Sequence, residues 1–427
     1  MSCHWRQLAI ALLLGASTPA RAGAANELTL ERALAEARAY NARLPLAATD
    51  LAIARARLRE ARAQRWLTLS LQGDLRYAPS GASYNPAETA NEERLQLVAQ
   101  QPLYEGGQLR AAMRSADAEL AARGARYRAT VKDVELDVRT GYFTLAELDD
   151  ELRLRRAGIR ELHNYGDLLE LQHKAGQGVY ADVLRTRARI ANEEADIVGL
   201  ERRRDVASAE LDNLLGRDPA TPLELAPLPP PEPPPALPAG EPWRVVPELR
   251  EAGAAIRAAG AMLAAARAQR RPHLSLEVDG GVWGPGFSSG GSFTQRLRND
   301  AGASIALSLS WDLLDFGAYR ARLEQARLGI TSAEQQQTLA QRDARLQWRS
   351  AMLSLAALHR ELELRERAAP VAHDAWIEAV ASYQGGAGTP IEVLTAWSTW
   401  ISADLALAST RLDYRTALAT ATRWSTP

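Results

Sequence analysis

The chain of 427 residues contains one cysteine, Cys3, and two lysines, Lys132 and Lys174. A lone thiol excludes a disulfide framework, and its place inside an N-terminal leader pattern leaves the rest of the chain without thiol chemistry. The shortage of lysine stands beside abundant arginine and reads as the base-composition bias of a GC-rich genome. Histidine is scarce as well. His4, His163, His173, His273, His359 and His373 show no close pairing of the metal-binding kind, so neither a metal nor another cofactor is expected. No Gly-x-Ser-x-Gly elbow, phosphate loop or dinucleotide fingerprint occurs, and Gly280-Gly281 and Gly290-Gly291 stand where strand bulges and turns explain them. An enzyme is therefore not expected.

Long apolar runs are missing too. After the leader there is no stretch of eighteen apolar residues, which excludes a membrane-spanning helix on length, so any membrane role must come from strands. Charge of one sign is also lacking. The formal net charge is −1, and without Arg6 and Arg21 of the leader 49 basic residues face 52 acidic ones. That balance does not invite nucleic acid. Arg6, the apolar run Leu8 to Leu14 and Ala20-Arg-Ala22 form the leader, expected to be an export signal over residues 1–22 with no lipid-anchor cysteine after it.

What is present is a duplication. Ala61-Arg-Ala-Gln-Arg65 returns as Ala266-Arg-Ala-Gln-Arg270, and Leu69-Ser-Leu71 returns as Leu274-Ser-Leu276, an offset of 205. Leu103-Tyr-Glu-Gly-Gly107 returns as Leu313-Leu-Asp-Phe-Gly317, and Gly176-Gln-Gly178 with Asp182-Val-Leu184 returns as Gly386-Ala-Gly388 with Glu392-Val-Leu394, an offset of 210. Two copies are expected, 23–220 and 248–427, joined by a segment 221–247 that holds the densest proline run. Such a run suits a polyproline II spacer over the outside of the body, or a ligand for a proline-binding module.

Each copy carries helical and strand patterns. From Leu103 to Asp218 there is no proline, and Ala, Arg, Glu and Leu dominate. Tyr127, Val131, Val134, Val138, Tyr142, Leu145, Leu148 and Leu152 form a helical stripe in a helix expected over about 108–175, and its twin runs from Ala318 to about Tyr383. Pro370 is expected to kink or break the twin near Ala369. Period-two alternation predicts strands over about 66–78, 93–103, 273–284 and 301–312, with exposed loops over Pro79 to Glu92 and Pro285 to Asp300. Two half-buried hairpins of a soluble domain would show the same alternation. At about ten residues each, the strands also suit a tilted crossing of a bilayer. In that case four strands cannot close by themselves, and several copies must combine, because an open edge leaves unpaired backbone groups in hydrocarbon.

These pieces resemble the TolC-like outer-membrane efflux proteins. Gln101-Pro-Leu-Tyr-Glu-Gly-Gly107 looks like that family's strand-to-helix signature, with Pro102, Gly106 and Gly107 at the junction. Its second form is Trp311-Asp-Leu-Leu-Asp-Phe-Gly317, with Asp315 and Gly317 at the junction and Asp312 where proline is usual. Arg271-Pro-His-Leu-Ser-Leu276 resembles the family's entry into its strand, whereas Leu67 replaces that proline in the first copy.

The resemblance implies a mainly α fold with membrane β: a homotrimer whose twelve-stranded barrel in outer-membrane lipid continues as a twelve-helix α-barrel through the periplasm. It implies a passive exit duct serving an inner-membrane pump through a periplasmic adaptor, the membrane fusion protein, in an efflux or type I secretion system. It also places the tips Gly176, Gln177, Gly178 and Gly386, Ala387, Gly388 against the adaptor. Asp182 and Glu392 then stand one turn into each return helix, near the tunnel mouth. A ring of carboxylates there would attract cations, and each acid would equally serve its own helix N-terminus. Thr395 stands where relatives carry a second acid. The rival expectation is a periplasmic coiled-coil adaptor or scaffold, which should show one helical hairpin flanked by small β domains.

Overall fold

The computed structural model describes residues 27–77, 91–220, 223–231, 233, 240–284 and 301–425. The leader, most of the loop over Pro79 to Glu92, all of the loop over Pro285 to Asp300 and part of the proline run lie outside the described residues.

The first copy opens with α1 (Leu30–Tyr40) and α2 (Arg43–Ala63), followed by β1 (Thr68–Tyr77), β2 (Asn91–Glu105), α3 (Gln108–Lys174) and α4 (Tyr180–Leu215). The second follows with a 3₁₀ turn (Pro242–Val245), α5 (Pro247–Ala268), β3 (His273–Gly284), β4 (Ala301–Ser310), α6 (Ala318–Gln384) and α7 (Pro390–Ser425). α3 and α6 each have 67 residues, about 100 Å at 1.5 Å per residue, and α4 and α7 each have 36. No described helix is long and apolar enough to cross a membrane.

The apolar stripe of α3 centres a buried cluster that draws on both copies. Val134, Val138, Tyr142 and Leu145 are buried with Ala33 and Ala37 of α1, Leu211 and Leu215 of α4, and Ala419 of α7. Burying side chains of this size contributes roughly 1.5–3 kcal/mol each. The helical stretch ahead of the strands is two helices, α1 and α2. Asn41 interrupts it, because its buried amide turns inward to donate to Leu214 O at 2.8 Å and its Oδ1 accepts from Arg43 N at 3.0 Å.

The linker also differs from a spacer laid over the outside. Leu223 is buried, and Leu225 pairs with Leu28 in an isolated parallel bridge. The buried Tyr142 hydroxyl, 2.9 Å from Leu28 O and 3.1 Å from Ala226 O, ties that bridge to the core. Pro370 does not break α6, which runs continuously through it. Proline forfeits one backbone hydrogen bond, while α7 packs alongside and the adjoining Ala369 is buried.

The four strands form one antiparallel sheet in the order β1-β2-β3-β4, so β2 and β3 join the two copies and β1 and β4 are open edges. β1 is two residues shorter at its start than the alternation predicts, β2 extends to Glu105, and β4 stops at Ser310. Trp311 leaves the ladder because its indole donates to Arg270 O at 3.1 Å.

The register sorts the side chains. Leu69 stands level with Ala99, Val278 and Ile305, and Leu71 with Leu97, Gly280 and Ala303, whereas Ser70 stands level with Val98, Asp279 and Ser304, and Gln72 with Gln96, Gly281 and Gly302. One face is almost wholly apolar or glycine and the other mostly polar. Nothing among the described residues covers the apolar face: Leu71, Leu75 and Ile305 are 69%, 76% and 77% exposed.

Candidate functional site

Three places carry the chemistry: the sheet, its junctions with the helices, and the tips where the long helices reverse.

Each strand-to-helix junction turns on left-handed backbone. Gly106 and Gly107 have φ of +61° and +99°, and at the equivalent corner Phe316 and Gly317 have +50° and +100°. Pro102 marks the bulge where the β2–β3 register shifts. A Cβ on Gly106 would stand 2.7 Å from Ala268 O and from Arg271 Cβ, and Arg271 Nη1 donates to Gly106 O at 2.9 Å. Asp315 accepts from Gly317 N at 3.3 Å and from Tyr319 N, which caps the start of α6. Gln101 Nε2 donates to Arg65 O at 2.9 Å as Trp311 Nε1 donates to Arg270 O, so unlike side chains make the same contact in the two copies.

Both tips end in the same hydrogen-bond pattern. Gln177 N donates to Gln172 O at 2.9 Å and Gly176 N to His173 O at 3.0 Å; Ala387 N donates to Ser382 O at 2.9 Å and Gly386 N to Tyr383 O at 3.0 Å. This is a Schellman motif, with Gly176 at φ +74° and Gly386 at +78° supplying its left-handed residue. Gly178 and Gly388 fold back on His173 and Tyr383, where a Cβ would come within 3.3 and 3.1 Å of a backbone nitrogen.

The return helices begin differently. In the second copy Thr389 and Glu392 form a capping box: Thr389 N donates to Glu392 Oε2 at 2.7 Å, and Glu392 N donates to Thr389 Oγ1 at 3.4 Å. In the first copy Val179 offers no side-chain cap, and Asp182 accepts from Arg185 Nη1 at 2.8 Å. The two carboxylates sit at matching positions, one reaching back to its cap and the other paired along its helix.

Behind the tips, Tyr165, Leu169, Val183 and Val393 form a buried cluster of both copies. Sequence reasoning singled out neither Tyr165 nor Tyr383, which meet edge to face at 5.8 Å between centroids. The Tyr383 hydroxyl donates to Gln172 and so ties one tip to the other. Burial, with Tyr383 and Asp182 adding their negative charge, pushes the Tyr165 phenol well above its usual range, and its hydroxyl is buried without a partner among the described residues. The 210-residue offset that carries His173 onto Tyr383 was the available signal.

Comparison with known proteins gives the arrangement a family. The sequence profile described as outer membrane efflux protein matches residues 20–217 and 246–423, one stretch in each copy. Protein CyaE of Bordetella pertussis is 29% identical over 324 residues, 70% of this chain; the match spans 64% of the length of that curated relative. Among solved structures, CusC, described in terms of folding and transmembrane channel formation, superposes with a TM-score of 0.83 at 20% identity over 93% of this chain and 92% of its own. The outer membrane protein VceC of Vibrio cholerae superposes with a TM-score of 0.80 at 21% identity over 93% and 96%. At such identities these structures establish the fold, that of TolC-like channels, and the family is one of efflux ducts, not of enzymes. With its profile matched in both copies, the chain belongs to the outer membrane efflux protein family.

Proposed function

We propose that this protein is the outer-membrane exit duct of a tripartite efflux pump or a type I secretion system. Three copies would close a twelve-stranded barrel in the outer membrane and continue it as a twelve-helix tunnel into the periplasm. The sheet carries this reading: it has one apolar face, one mostly polar face and two open edges, and nothing among the described residues covers the apolar face. A bilayer accepts such a sheet only when its edges are closed, with apolar side chains toward lipid and polar ones toward water.

The duct is passive, with energy and choice of cargo supplied by an inner-membrane pump. Residues 1–22 serve export, and the copies 23–220 and 248–427 each give two strands to the wall and one tip to the mouth. The tips, Gly176, Gln177, Gly178 and Gly386, Ala387, Gly388, meet a periplasmic adaptor. Open space around Gly176 and Gly386 supports this, as no side chain among the described residues lies within 4 Å of a Cβ placed there. Asp182 and Glu392 face the mouth as carboxylates. The adaptor or scaffold alternative lacks support, because the chain carries two strand hairpins inside a helical duplication.

The test combines density fractionation of membranes, the mass of the detergent-extracted particle and conductance in planar bilayers. A trimer in the outer-membrane fraction that forms discrete pores is expected. Soluble periplasmic protein, or a monomer that forms no pores, would overturn the reading.

A further inference from the structure

The duplication predicts the contact between neighbouring copies of this chain residue by residue, because the chain already contains one example of it. Adding 205 to β1 numbers and 210 to β2 numbers turns the pair Thr68 with Gln100 into His273 with Ser310, which is the observed β3–β4 register. The two hairpins are therefore superimposable, and the β2–β3 pairing between them is the pattern for the contact that β4 and β1 lack. Applied to Val98 with Asp279 and Leu97 with Gly280, the same offsets give Ser308 with Asp74 and Leu307 with Leu75. The apolar face stays continuous across this pairing, whereas a slip of one residue would turn one strand's apolar residues to the polar side.

The same transformation finds a missing partner at other levels. Ala254 and Ala261 of α5, at 0% and 4% exposure, map onto Thr49 and Ala56 of α2, which are exposed. Ala118 and Ala129 of α3, both buried, map onto Leu328 and Leu339 of α6, at 62% and 57% exposure. Gly106 packs against the corner formed by Ala268 and Arg271. Its image is Phe316, 94% exposed, and the image of Arg271 is Trp66, 71% exposed. Each of these positions of the internal contact has an exposed twin.

We infer that these exposed twins form a single seam with the next copy of the chain: β4 pairs antiparallel with the neighbour's β1 with Ser308 opposite Asp74, Phe316 seats beside the neighbour's Trp66, and Leu328 and Leu339 lie over the neighbour's Ala56 and Thr49. This rests on the exit-duct reading and specifies how its subunits meet. Leu328 and Leu339 stand where the internal contact buries Ala118 and Ala129, so the two kinds of seam are alike in register and unlike in filling.

Cysteine pairs test it in full-length protein carrying Cys3→Ser, which removes the only native thiol. Asp74→Cys is combined in turn with Ala306→Cys, Ser308→Cys and Ser310→Cys, and Trp66→Cys with Phe316→Cys. Membranes are treated with a mild oxidant or a short bis-methanethiosulfonate, and products are resolved on denaturing gels. Covalent dimers and trimers should form several-fold faster for Ser308→Cys with Asp74→Cys than for either two-residue slip, and Trp66→Cys with Phe316→Cys should also link. The mass of each unlinked variant in detergent is measured in parallel. A trimer in which a slipped pair links fastest, or the corner pair fails to link, overturns the seam and leaves the duct. A monomer of every variant and of the parent overturns both.

Discussion

Replacing Glu392 with glutamine separates two roles that one carboxylate holds together. Its Oε2 accepts from Thr389 N at 2.7 Å and its own N–H reaches Thr389 Oγ1 at 3.4 Å. Glutamine can make the same reciprocal cap without charge, whereas alanine keeps only the backbone half, its N–H to Thr389 Oγ1. Loss of the side-chain half of the cap in Glu392→Ala costs about 0.5–1.5 kcal/mol of local helix stability, and loss of the charge at the helix N-terminus about 0.3–1 kcal/mol in either variant. In the proposed trimer, three carboxylates set at an assumed radius of about 8 Å would attract a cation on the axis by about 1.5 kcal/mol at the dielectric constant of water. Screening lowers this to about 0.7 kcal/mol at 0.1 M salt and about 0.1 kcal/mol at 1 M, because the Debye length falls from about 10 Å to about 3 Å. The lower-salt figure corresponds to a local cation enrichment of about threefold.

Reversal potentials of single channels under a salt gradient read this directly. Both Glu392→Gln and Glu392→Ala are expected to lose cation preference near 0.1 M and to match the parent near 1 M. Asp182→Asn should change less, since Arg185 already neutralises Asp182 at 2.8 Å. Limited proteolysis at the tips should then distinguish the variants, with faster cleavage for alanine and parental behaviour for glutamine. If Glu392→Gln keeps the parental reversal potential at low salt while Glu392→Ala is cleaved faster, the carboxylate is a helix cap alone and the mouth-field reasoning is wrong.

Gly106→Ala combines left-handed strain of about 1–2 kcal/mol with overpacking of about 1–3 kcal/mol against Ala268 and Arg271, whereas Gly176→Ala carries the strain alone; thermal dissociation of the extracted oligomer should fall clearly further for Gly106→Ala. Arg423, 8% exposed at its side chain, donates to Asp133 and Glu248 and so joins α7 to α3 and α5; Arg423→Gln is expected to destabilise by about 1–3 kcal/mol, less than the 3–5 kcal/mol of a fully buried pair because both acids are partly exposed, and a double-mutant cycle with Glu248→Gln should show coupling. Asp212 is buried and its carboxylate has no hydrogen-bond partner among the described residues, so burial raises its pKa above the ordinary 3.8. A raised folded-state pKa means that stability is fullest below the unfolded value and is lost as pH climbs through the folded value. Asp212→Asn should therefore raise the thermal midpoint at pH 7, with the gain vanishing near pH 3.8 and below.

Local pattern made the helices legible. The proline-free stretch and the stripe through Val134, Val138 and Tyr142 place α3 within a residue at its C-terminal end, and Gly176 and Gly386 mark both tips, because helix propensity, periodicity and a left-handed stop act over a few neighbours. Strand bounds were legible to within two residues, and at β4 the difference has a cause at a distance, as Trp311 leaves the strand to reach Arg270. The break at Asn41 was not legible, since it depends on Leu214 O, 173 residues away in the chain. Nor was the burial of Leu223, or the survival of α6 through Pro370, which a single-helix rule misjudges because it leaves out the packing of α7. At the tips the sequence marked the glycines and the acids but not the Tyr383–Gln172 contact, which appears only when two tips are brought side by side.

The order β1-β2-β3-β4 also bears on assembly kinetics. In a closed ring of three, six junctions separate successive hairpins. Three of them are β2–β3 junctions, whose partners are tethered by one polypeptide and meet at an effective concentration that dilution cannot change. The other three require encounters between separate chains and so slow as copies become scarce. Duplication has thus turned a six-body encounter into a three-body one, and a ring built from unfused halves would be the more sensitive to expression level.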